Sequence, residues 1–378
     1  MHLCINVTLT ANIIDNTLSI HRYVKTVNMQ KLQLSKQNEK HALLLDHRQL
    51  INKAYGSAVP NSETYELKSQ LFQFQPKTSQ QPPQNQRKRK RKCKLSETAK
   101  NAAVDNINEY LELLPEAKVD AVRTLPRYWE DEYGLPQLHG SNTTGKFQTF
   151  QTPASTFIIP HAACFYNHNV DQLRALLPQL RPSYDLIVID PPWRNKYIRR
   201  LKRVKQELGY TMMDNDQLAM LPLGQLTHER TLVAIWCTNS NLHQQALETQ
   251  LLPRWQLRLL HKLRWYKLNT AHQLISDLNE EDASQKQPYE VLYLACHVQS
   301  NGAYATDLTQ TELLLSVPSI VHSHKPPLLD WMRQYLQLER DQVEPNCLEL
   351  FARYLQPQFT SIGLEVLKLM DDRLYDKK

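Results

Sequence analysis

From about residue 155 onward, short apolar runs alternate with longer helical or polar stretches, and this alternation constrains the fold more than any other feature. The run Leu186-Ile187-Val188-Ile189 is apolar on both faces, as expected of a strand buried in a parallel sheet. The pattern predicts an α/β domain with a mainly parallel sheet, which would bind ligands beyond the carboxyl ends of its strands. The predicted strands are 156–159, 185–189, 231–236, 258–266, 291–297, 320–322 and 348–351, and the predicted helices are 214–221, 240–252 and 327–340.

Glycine and cysteine usage excludes several classes of site. Only 8 glycines occur in 378 residues, and none forms a G-x-G-x-x-G or Walker-type run. The six cysteines are scattered without C-x-x-C spacing, so we predict no metal site. No run of about 18 apolar residues occurs, so we also expect no contact with a membrane.

The basic charge is concentrated in two short runs. Residues 87–94 and 194–205 each hold seven lysines or arginines and no acid, whereas the formal net charge of the chain is +7. The first run follows Gln- and Pro-rich sequence that cannot bury a core, so 70–95 is predicted to be a disordered linker. The run from Arg87 to Lys94 favours nuclear import, with the cytoplasm as a second location and a plain solvated spacer as the alternative.

The linker divides the predicted domains. We expect an N-terminal helical segment over 1–69, with an amphipathic helix at 41–55. A helical cap over 96–154 follows the linker, because Val104, Ile107, Leu111 and Leu114 share one helical face. The α/β domain then occupies 155–378.

The run Asp190-Pro191-Pro192-Trp193 directly follows a predicted buried strand, where a ligand site is expected. These groups suit the exocyclic amine of adenine, because the Asp190 carboxylate and the Pro191 carbonyl can each accept one N–H. The prolines fix φ at about −65° and hold the acceptors in place. Trp193 offers a stacking platform, a contact that contributes about 1–3 kcal/mol per base. The alternative is a turn that merely closes the strand, and these four residues leave both interpretations open.

Further motifs occur in a fixed order along the chain. They are Asn195-Lys196, Trp236-Cys237-Thr238-Asn239, Pro288-Tyr289-Glu290, His322-Ser323-His324-Lys325-Pro326 and Leu348-Glu349-Leu350-Phe351-Ala352-Arg353. Together with the aspartate-proline-proline-tryptophan run, they resemble the eukaryotic adenine-N6 methyltransferases, specifically the methyltransferase-like protein 4 branch. The resemblance covers about 160–370. It implies a permuted Rossmann-like methyltransferase domain over 155–378, in which the catalytic strand precedes the strand that binds S-adenosylmethionine.

The same resemblance implies roles for single residues. Lys325 matches the lysine that meets the methionine carboxylate of S-adenosylmethionine, Glu349 matches the acid that holds its ribose hydroxyls, and Arg353 matches a further ribose contact. Asn169-Val170 stands where the family has Asp-Ile against the cofactor adenine, and Leu364 replaces a family asparagine. The implied catalytic residues are Asp190, Pro191, Pro192 and Trp193. The implied cofactor residues are Asn169, Val170, Asp190, Lys325, Glu349, Arg353 and Glu365, with S-adenosylhomocysteine as product.

The second basic run leaves the catalytic loop directly. A solvated helix normally mixes charges, so this purely cationic run is predicted to be a substrate loop that binds phosphates and orders on binding. The predicted substrate-binding residues are Trp193, Asn195, Lys196, Arg199, Arg200, Lys202, Arg203, Trp236, Asn239, Tyr289 and Glu290.

Three functions stay open at this point. The first is an RNA adenine-N6 methyltransferase that acts on adenosine or 2′-O-methyladenosine, for which the resemblance points to U2 small nuclear RNA. The second is the same reaction on DNA, with a single-stranded site as the easier target because a duplex adenine must be flipped out. The third is a catalytically silent RNA-binding adaptor. We expect a monomer without an obligate methyltransferase partner.

Overall fold

We describe residues 28–34, 40–56, 59, 62–75, 106–117, 123–194, 212–278, 287–301, 304 and 306–378 in a computed structural model of the protein. In chain order, the strands are β1 (Met29–Gln33), β2 (His41–Leu45), β3 (Tyr65–Leu67), β4 (Leu138–Ser141), β5 (Gln148–Gln151), β6 (Thr156–Ile159), β7 (Cys164–Asn167), β8 (Leu186–Ile189), β9 (Leu232–Cys237), β10 (Leu257–Lys267), β11 (Tyr289–His297), β12 (Thr311–Ser316), β13 (Cys347–Leu350), β14 (Phe359–Ile362) and β15 (Tyr375–Lys377). An 11-stranded sheet has the order β1-β2-β12-β10-β11-β9-β8-β13-β14-β7-β4, and two small sheets pair β3 with β15 and β5 with β6.

The centre of the large sheet is parallel. Strands β9, β8, β13, β14 and β7 lie side by side and run in one direction. Ile189 at the end of β8 lies opposite Leu350 of β13, which lies opposite Ile362 of β14, so the carboxyl ends of these strands meet at one edge. Strands β10, β12 and β2 add two further parallel ladders. This confirms the predicted α/β fold with a mainly parallel sheet, and β8 precedes its neighbour β13 in the chain as a permuted order requires.

The helices are short and cover both faces of the sheet. They are α1 (His47–Ala54), α2 (Ile107–Glu112), α3 (Leu173–Leu176), α4 (Asn215–Ala219), α5 (Asn241–Ala246), α6 (Leu252–Arg254), α7 (Thr306–Gln310) and α8 (Leu329–Met332), and a π-helical turn (Leu247–Leu251) joins α5 to α6. Alternate residues of β8 enter different cores: Ile187 and Ile189 pack in the core with Leu218 of α4, while Leu186 and Val188 pack in the core with Trp331 of α8. Burial of both faces explains why this strand reads as a continuous apolar run.

The segment predicted to be helical over 1–69 is only partly helical in its described part, because β1 and β2 join the main sheet and β3 pairs with β15. The helix predicted at 41–55 is a strand in its first half, because the apolar residues of β2 pair with β1 on one side and with β12 on the other. Only the second half is helical. Helix α1 begins after Asp46, whose side chain accepts a hydrogen bond from Gln49 N at 2.9 Å.

The region 96–154 is also not a helical cap in its described part. It contains α2, but β4 pairs antiparallel with β7 at the sheet edge, and β5 pairs with β6. The start of the predicted linker is ordered as well, because Leu71 and Phe72 are buried in a 3₁₀ turn. Val104 and the first basic run lie outside the described residues.

Other predicted elements shift by small amounts. The strands predicted at 185–189, 231–236, 258–266, 291–297 and 348–351 are found, and the one at 156–159 lies in the small sheet with β5. The strand predicted at 320–322 is a turn, and the helix predicted at 327–340 is limited to α8 and one 3₁₀ turn. Strands β7, β12 and β14 were not predicted. Within the described ranges, no helix is both long and apolar enough to cross a membrane.

Candidate active site

A cleft opens at the carboxyl edge of the parallel strands. Each strand contributes residues that follow its end: Asn169 comes after β7, Asp190 after β8, Phe351 after β13 and Gly363 after β14. The cleft therefore lies where an open α/β sheet is expected to bind its ligand.

Gly363 lets two walls of this cleft approach each other. A Cβ atom at this position would lie 2.6 Å from Ala352 O and 3.0 Å from Ala352 N. The backbone bond from Ala352 N to Ile362 O, at 3.1 Å, holds the loops after β13 and β14 together at this point. Any larger residue at 363 would push these loops apart and widen the cleft.

The catalytic loop predicted from Asp190-Pro191-Pro192-Trp193 leaves β8 as a tight turn. Trp193 N donates to Pro191 O at 2.8 Å, and Met213 N donates to Pro192 O at 3.1 Å. The Pro191 carbonyl, predicted to accept an amine N–H, thus already accepts one bond within the loop. A carbonyl oxygen has two lone pairs, so a second donor can still reach it.

Trp193 is not an open stacking platform in the described arrangement. Its side chain is only 6% exposed. The indole Nε1 donates to Trp236 O at 2.9 Å, and the ring packs against His243 with centroids 5.2 Å apart. The indole N–H needs a partner when buried and finds it in β9, so Trp193 fixes the loop to the sheet. This corrects the expectation that its ring faces the base.

A row of alternating charges lies behind the cleft wall. Lys325 Nζ is 2.8 Å from Asp190 Oδ2 and 3.1 Å from Glu290 Oε2. Glu290 also forms a short ion pair with Lys267, the last residue of β10. Asp190, Lys325, Glu290 and Lys267 therefore form a chain of two acids and two bases, drawn from β8, β10, β11 and the loop before α8.

The pKa values of this row follow from burial and neighbouring charge. Burial raises the pKa of Asp190 above its usual value, Lys325 opposes this shift and Glu290 adds to it. Burial acts to raise the pKa of Glu290 too, but Lys267 and Lys325 outweigh it and hold that pKa low. Burial acts to lower the pKa of Lys325, yet the two carboxylates raise it. The two carboxylates thus favour the cationic form of Lys325, and Lys325 in turn favours the ionised form of each acid.

Lys325 and Trp236 lie deeper than the sequence predicts. Lys325 is 6% exposed and Trp236 is 1% exposed, with Lys325 Nζ 5.7 Å from the centre of the indole ring. Trp236 was predicted to contact substrate, but its ring is enclosed behind the ammonium and packs on Trp265. It therefore supports Lys325 from inside the fold. The contact predicted between Lys325 and a cofactor carboxylate stays a prediction.

The predicted cofactor residues Asn169, Val170, Arg353 and Glu365 all line the cleft. Arg353 Nε is 2.9 Å from Glu365 Oε2, and an Nη atom of the same guanidinium donates to His322 O through a short hydrogen bond. The Nε group is buried without a well-aligned hydrogen-bond acceptor. The cleft rim thus offers a carboxylate and an incompletely paired guanidinium. Leu364, which replaces a family asparagine, is 41% exposed beside them.

Glu349 is buried next to the cleft residues that follow β13 and is not among the residues that line the cleft. The residue is 6% exposed in β13, and its Oε2 accepts a hydrogen bond from Gln356 Nε2 at 2.9 Å. Burial raises the pKa of its carboxyl to about 8, and the Gln356 hydrogen bond only partly offsets this. Glu365, by contrast, lines the cleft, and the contact predicted between Glu349 and the cofactor ribose stays a prediction.

The buried carboxyl of Glu349 predicts a pH-dependent stability. Its folded-state pKa of about 8 exceeds the ordinary value of 4.5, so its contribution to stability is fully present below pH 4.5 and is lost as pH rises toward 8. A Glu349→Gln variant cannot ionise and should gain about 2 kcal/mol or more in unfolding free energy relative to wild type between pH 5 and pH 8. Urea unfolding at several pH values measures this gap, and a gap that does not change with pH would contradict the assignment.

Several predicted substrate residues cannot be placed. Asn195, Lys196, Arg199, Arg200, Lys202 and Arg203 lie outside the described residues. Asn239 is partly exposed in the turn between β9 and α5. Tyr289 is partly exposed at the start of β11, where the Arg264 guanidinium lies 4.8 Å from the centre of its ring. Glu290 faces Lys325 and so belongs to the charged row.

Sequence reasoning missed Lys267, Met213 and Ser323. Lys267 reaches Glu290 only through the pairing of β10 with β11, and no local spacing announces that contact. Met213 and Ser323 line the cleft. Ser323 lies inside one of the motifs quoted above, so the sequence could have predicted it as a site residue. Met213 could not be predicted, because an apolar residue before a helix is ordinarily assigned to the core. Among the described residues, no group of three or more histidine, cysteine or acidic side chains could hold a metal ion.

A mainly parallel sheet with a ligand cleft at its carboxyl edge is the arrangement of Rossmann-like α/β proteins, and Asp190 lies at that edge. Residues 184–365 match the model of the MT-A70 family. The match begins just before β8 and ends at Glu365, and it therefore contains every strand from β8 to β14. It does not include β7 or the N-terminal strands.

Curated relatives support the METTL4 branch of this family. The chain is 31% identical over 219 residues to the human "N(6)-adenine-specific methyltransferase METTL4", which covers 56% of this chain and 43% of the relative. It is 30% identical over 222 residues to a "DNA N6-methyl methyltransferase" of Caenorhabditis elegans, covering 58% and 56%. It is 28% identical over 262 residues to the "N6-methyladenosine RNA methyltransferase MTA1" of Cryphonectria parasitica, covering 68% and 70%. The chain thus spans about half the length of the first two relatives.

Proposed function

We propose that this protein is an S-adenosylmethionine-dependent methyltransferase that methylates the N6 amine of adenine in RNA. The observation that carries the proposal is the Asp190 carboxylate, which lines the cleft while Lys325 holds its Oδ2 at 2.8 Å. An acid fixed in this way presents a defined acceptor at the place where a ligand is expected. The relatives named above support the same chemistry.

The cleft fits the proposed cofactor in polarity. Its lining combines apolar surface from Val170 and Leu364 with the charged pair Arg353 and Glu365. Asn169 and Val170 would hold the adenine of the cofactor, and Glu365 would accept its ribose hydroxyls. S-adenosylmethionine, when bound, supplies an activated methyl group.

Asp190 would act by positioning and by charge. Because Lys325 occupies Oδ2, Oδ1 is the oxygen that would accept one N–H of the target amine. The Pro191 carbonyl would accept the other N–H with its remaining lone pair. A carboxylate next to the amine stabilises the positive charge that develops on nitrogen during methylation. No strong base is needed, since the amine can lose its proton after the methyl group has been transferred.

We propose RNA as the substrate and DNA as the second candidate. The basic run at 194–205 suits any nucleic acid backbone, and the relatives include one named for DNA and one named for RNA. The METTL4 resemblance makes U2 small nuclear RNA, with adenosine or 2′-O-methyladenosine as the target, the specific RNA that we propose. The basic run from Arg87 to Lys94 supports a nuclear location.

We further propose that the enzyme works as a monomer. All of the cleft residues identified above come from this one chain, and so does the charged row behind them. On this proposal, these residues form the cleft without a contribution from a partner subunit.

Labelled methyl transfer tests the proposed function. The full chain is incubated with labelled S-adenosylmethionine and matched single-stranded RNA and DNA oligonucleotides, with Asp190→Ala as the control variant. We expect transfer to RNA to exceed transfer to DNA and to be lost in the variant. Preference for DNA would select the second candidate, and RNA binding without any transfer would select the silent adaptor. Transfer that persists in Asp190→Ala would contradict the catalytic role.

Charge reversal tests the predicted substrate loop. An Arg199→Glu/Arg200→Glu/Arg203→Glu variant replaces three cations by three anions and should raise the KM for RNA by about 100-fold or more at low salt, because phosphate contacts are lost. Affinity for S-adenosylmethionine should not change. Steady-state kinetics at several salt concentrations and cofactor binding by calorimetry measure the two effects. An unchanged KM for RNA would show that this run does not bind substrate.

A further inference from the structure

His243 lies in α5, outside the motifs that the sequence analysis selected, and it contacts both the exit of the catalytic loop and the start of α4. Its Nε2 is 3.0 Å from Arg194 O, on the residue that follows Trp193. Its Nδ1 is 3.0 Å from Asn215 Oδ1, at the first residue of α4. Because a carbonyl oxygen only accepts, Nε2 must carry the proton and donate to Arg194. The side-chain amide of Asn215 can present its oxygen or its NH₂ and so suits the other nitrogen.

The two chain segments that His243 joins are also bonded to each other. Met213 N donates to Pro192 O at 3.1 Å, and Trp193 and Met213 form an isolated parallel β-bridge. The exit of the catalytic loop and the entry to α4 thus run side by side. His243 lies across this pair and hydrogen-bonds to a residue on each side.

The His243 ring also packs on the loop. It is 7% exposed, and its centroid lies 5.2 Å from that of the Trp193 indole at an angle of 44°. The other end of the indole is fixed by the bond from Nε1 to Trp236 O. Trp193 is therefore held between β9 and α5, and the Arg194 carbonyl is held by the same imidazole.

We propose that His243 is a positioning residue for the catalytic loop. It touches neither the cleft nor the charged row, and it acts by fixing Trp193 and Arg194 so that the Pro191 and Pro192 carbonyls and Asp190 keep their places. The role in catalysis rests on the proposed function, whereas the structural role does not. Small displacements of a catalytic group are enough to slow a reaction, because the reacting atoms must be aligned to within fractions of an ångström.

Hydrogen exchange and kinetics on the full chain test this proposal together. His243→Phe keeps a ring against Trp193 but cannot donate to Arg194 O. We expect the amides of Trp193 and Met213 to exchange about tenfold faster in this variant, because their acceptors in the loop are less fixed. The kcat for RNA methylation should fall by about ten- to hundredfold, with little change in affinity for S-adenosylmethionine.

Two further variants separate positioning from general destabilisation. His243→Gln can still donate a hydrogen bond to Arg194 and should restore most of the exchange protection and of kcat. His161→Phe, in the turn between β6 and β7 at the opposite edge of the sheet, is the matched control and should leave both unchanged. If His243→Phe does not fold, Asn215→Ala removes the second anchor and should raise the exchange rate at Met213.

Wild-type exchange at Trp193 and Met213 in His243→Phe would overturn the proposal, and so would equal loss of kcat in His243→Phe and His243→Gln. The exchange measurement does not depend on turnover. If the wild-type protein transfers no methyl group, the proposed function fails, while the exchange rates still decide whether His243 positions the loop.

Discussion

An Asp190→Asn variant should bind S-adenosylmethionine and RNA but lose about 100- to 1000-fold in kcat. The amide keeps the size of the side chain and removes the negative charge beside the target amine, an effect of the size seen when a single electrostatic contact to a transition state is lost. It also replaces one of the two carboxylates that pair with Lys325 by a neutral amide. Glu290 is then the only anion paired with the Lys325 ammonium. Single-turnover methyl transfer at saturating RNA and cofactor measures the loss.

The control for this variant is Asp216→Asn, an exposed acid in α4 that hydrogen-bonds to Gln250 at 2.7 Å. It should retain wild-type kcat. A kcat within threefold of wild type in Asp190→Asn would rule out a role for the carboxylate charge, because such a change corresponds to less than about 1 kcal/mol in the barrier. Positioning by the loop backbone would then carry the reaction.

A Lys325→Met variant is expected to be both inactive and less stable. Methionine keeps the length of the side chain but leaves Asp190 without a cation and Glu290 with only Lys267. Removing one partner of a buried ion pair costs about 3–5 kcal/mol, because the remaining charge stays buried. Urea unfolding should therefore show a clearly lower midpoint at pH 7.

Two comparisons make this prediction specific. Lys377→Met breaks an exposed pair with Glu63 and should not move the unfolding midpoint, because both side chains are in solvent. Asp190→Asn combined with Lys325→Met should recover part of the stability lost in Lys325→Met, since the uncompensated carboxylate is gone. A stable Lys325→Met protein would show that the charged row is dispensable for folding.

The sequence predicted the centre of the fold well because the signals there are local. The runs that became β8, β9 and β11 are apolar on both faces, and such runs mark buried strands without knowledge of their partners. The position of Asp190 at the carboxyl end of β8 followed from the same pattern. The start of helix α4 is also visible in the sequence, because Asp214 caps the helix and Gln217 completes a capping box.

The predictions that were wrong share a physical cause: the conformation or the burial of these residues depends on tertiary contacts. The residues of β2 have no strong preference for a strand, but the open edge of β12 offers them hydrogen bonds along a full ladder. Trp193 was assigned an exposed role from its residue type, whereas its burial depends on the Trp236 carbonyl and on His243. Glu349 and Glu365 are both acids near strand ends, and only the tertiary structure shows that Glu365 lines the cleft while Glu349 packs against Gln356.

The pairing of β2 with β12 determines how this protein can be divided. Strand β12 lies inside the domain assigned from sequence to 155–378, but its outer ladder is supplied by residues 41–44, more than 100 positions before that domain begins. A fragment that starts at residue 155 would expose the row of backbone N–H and C=O groups along β12, beside the apolar side chains of Leu313 and Leu315. Unpaired edges of this kind recruit strands from other molecules. Such a fragment should therefore aggregate, even though it would contain all of the cleft residues identified above.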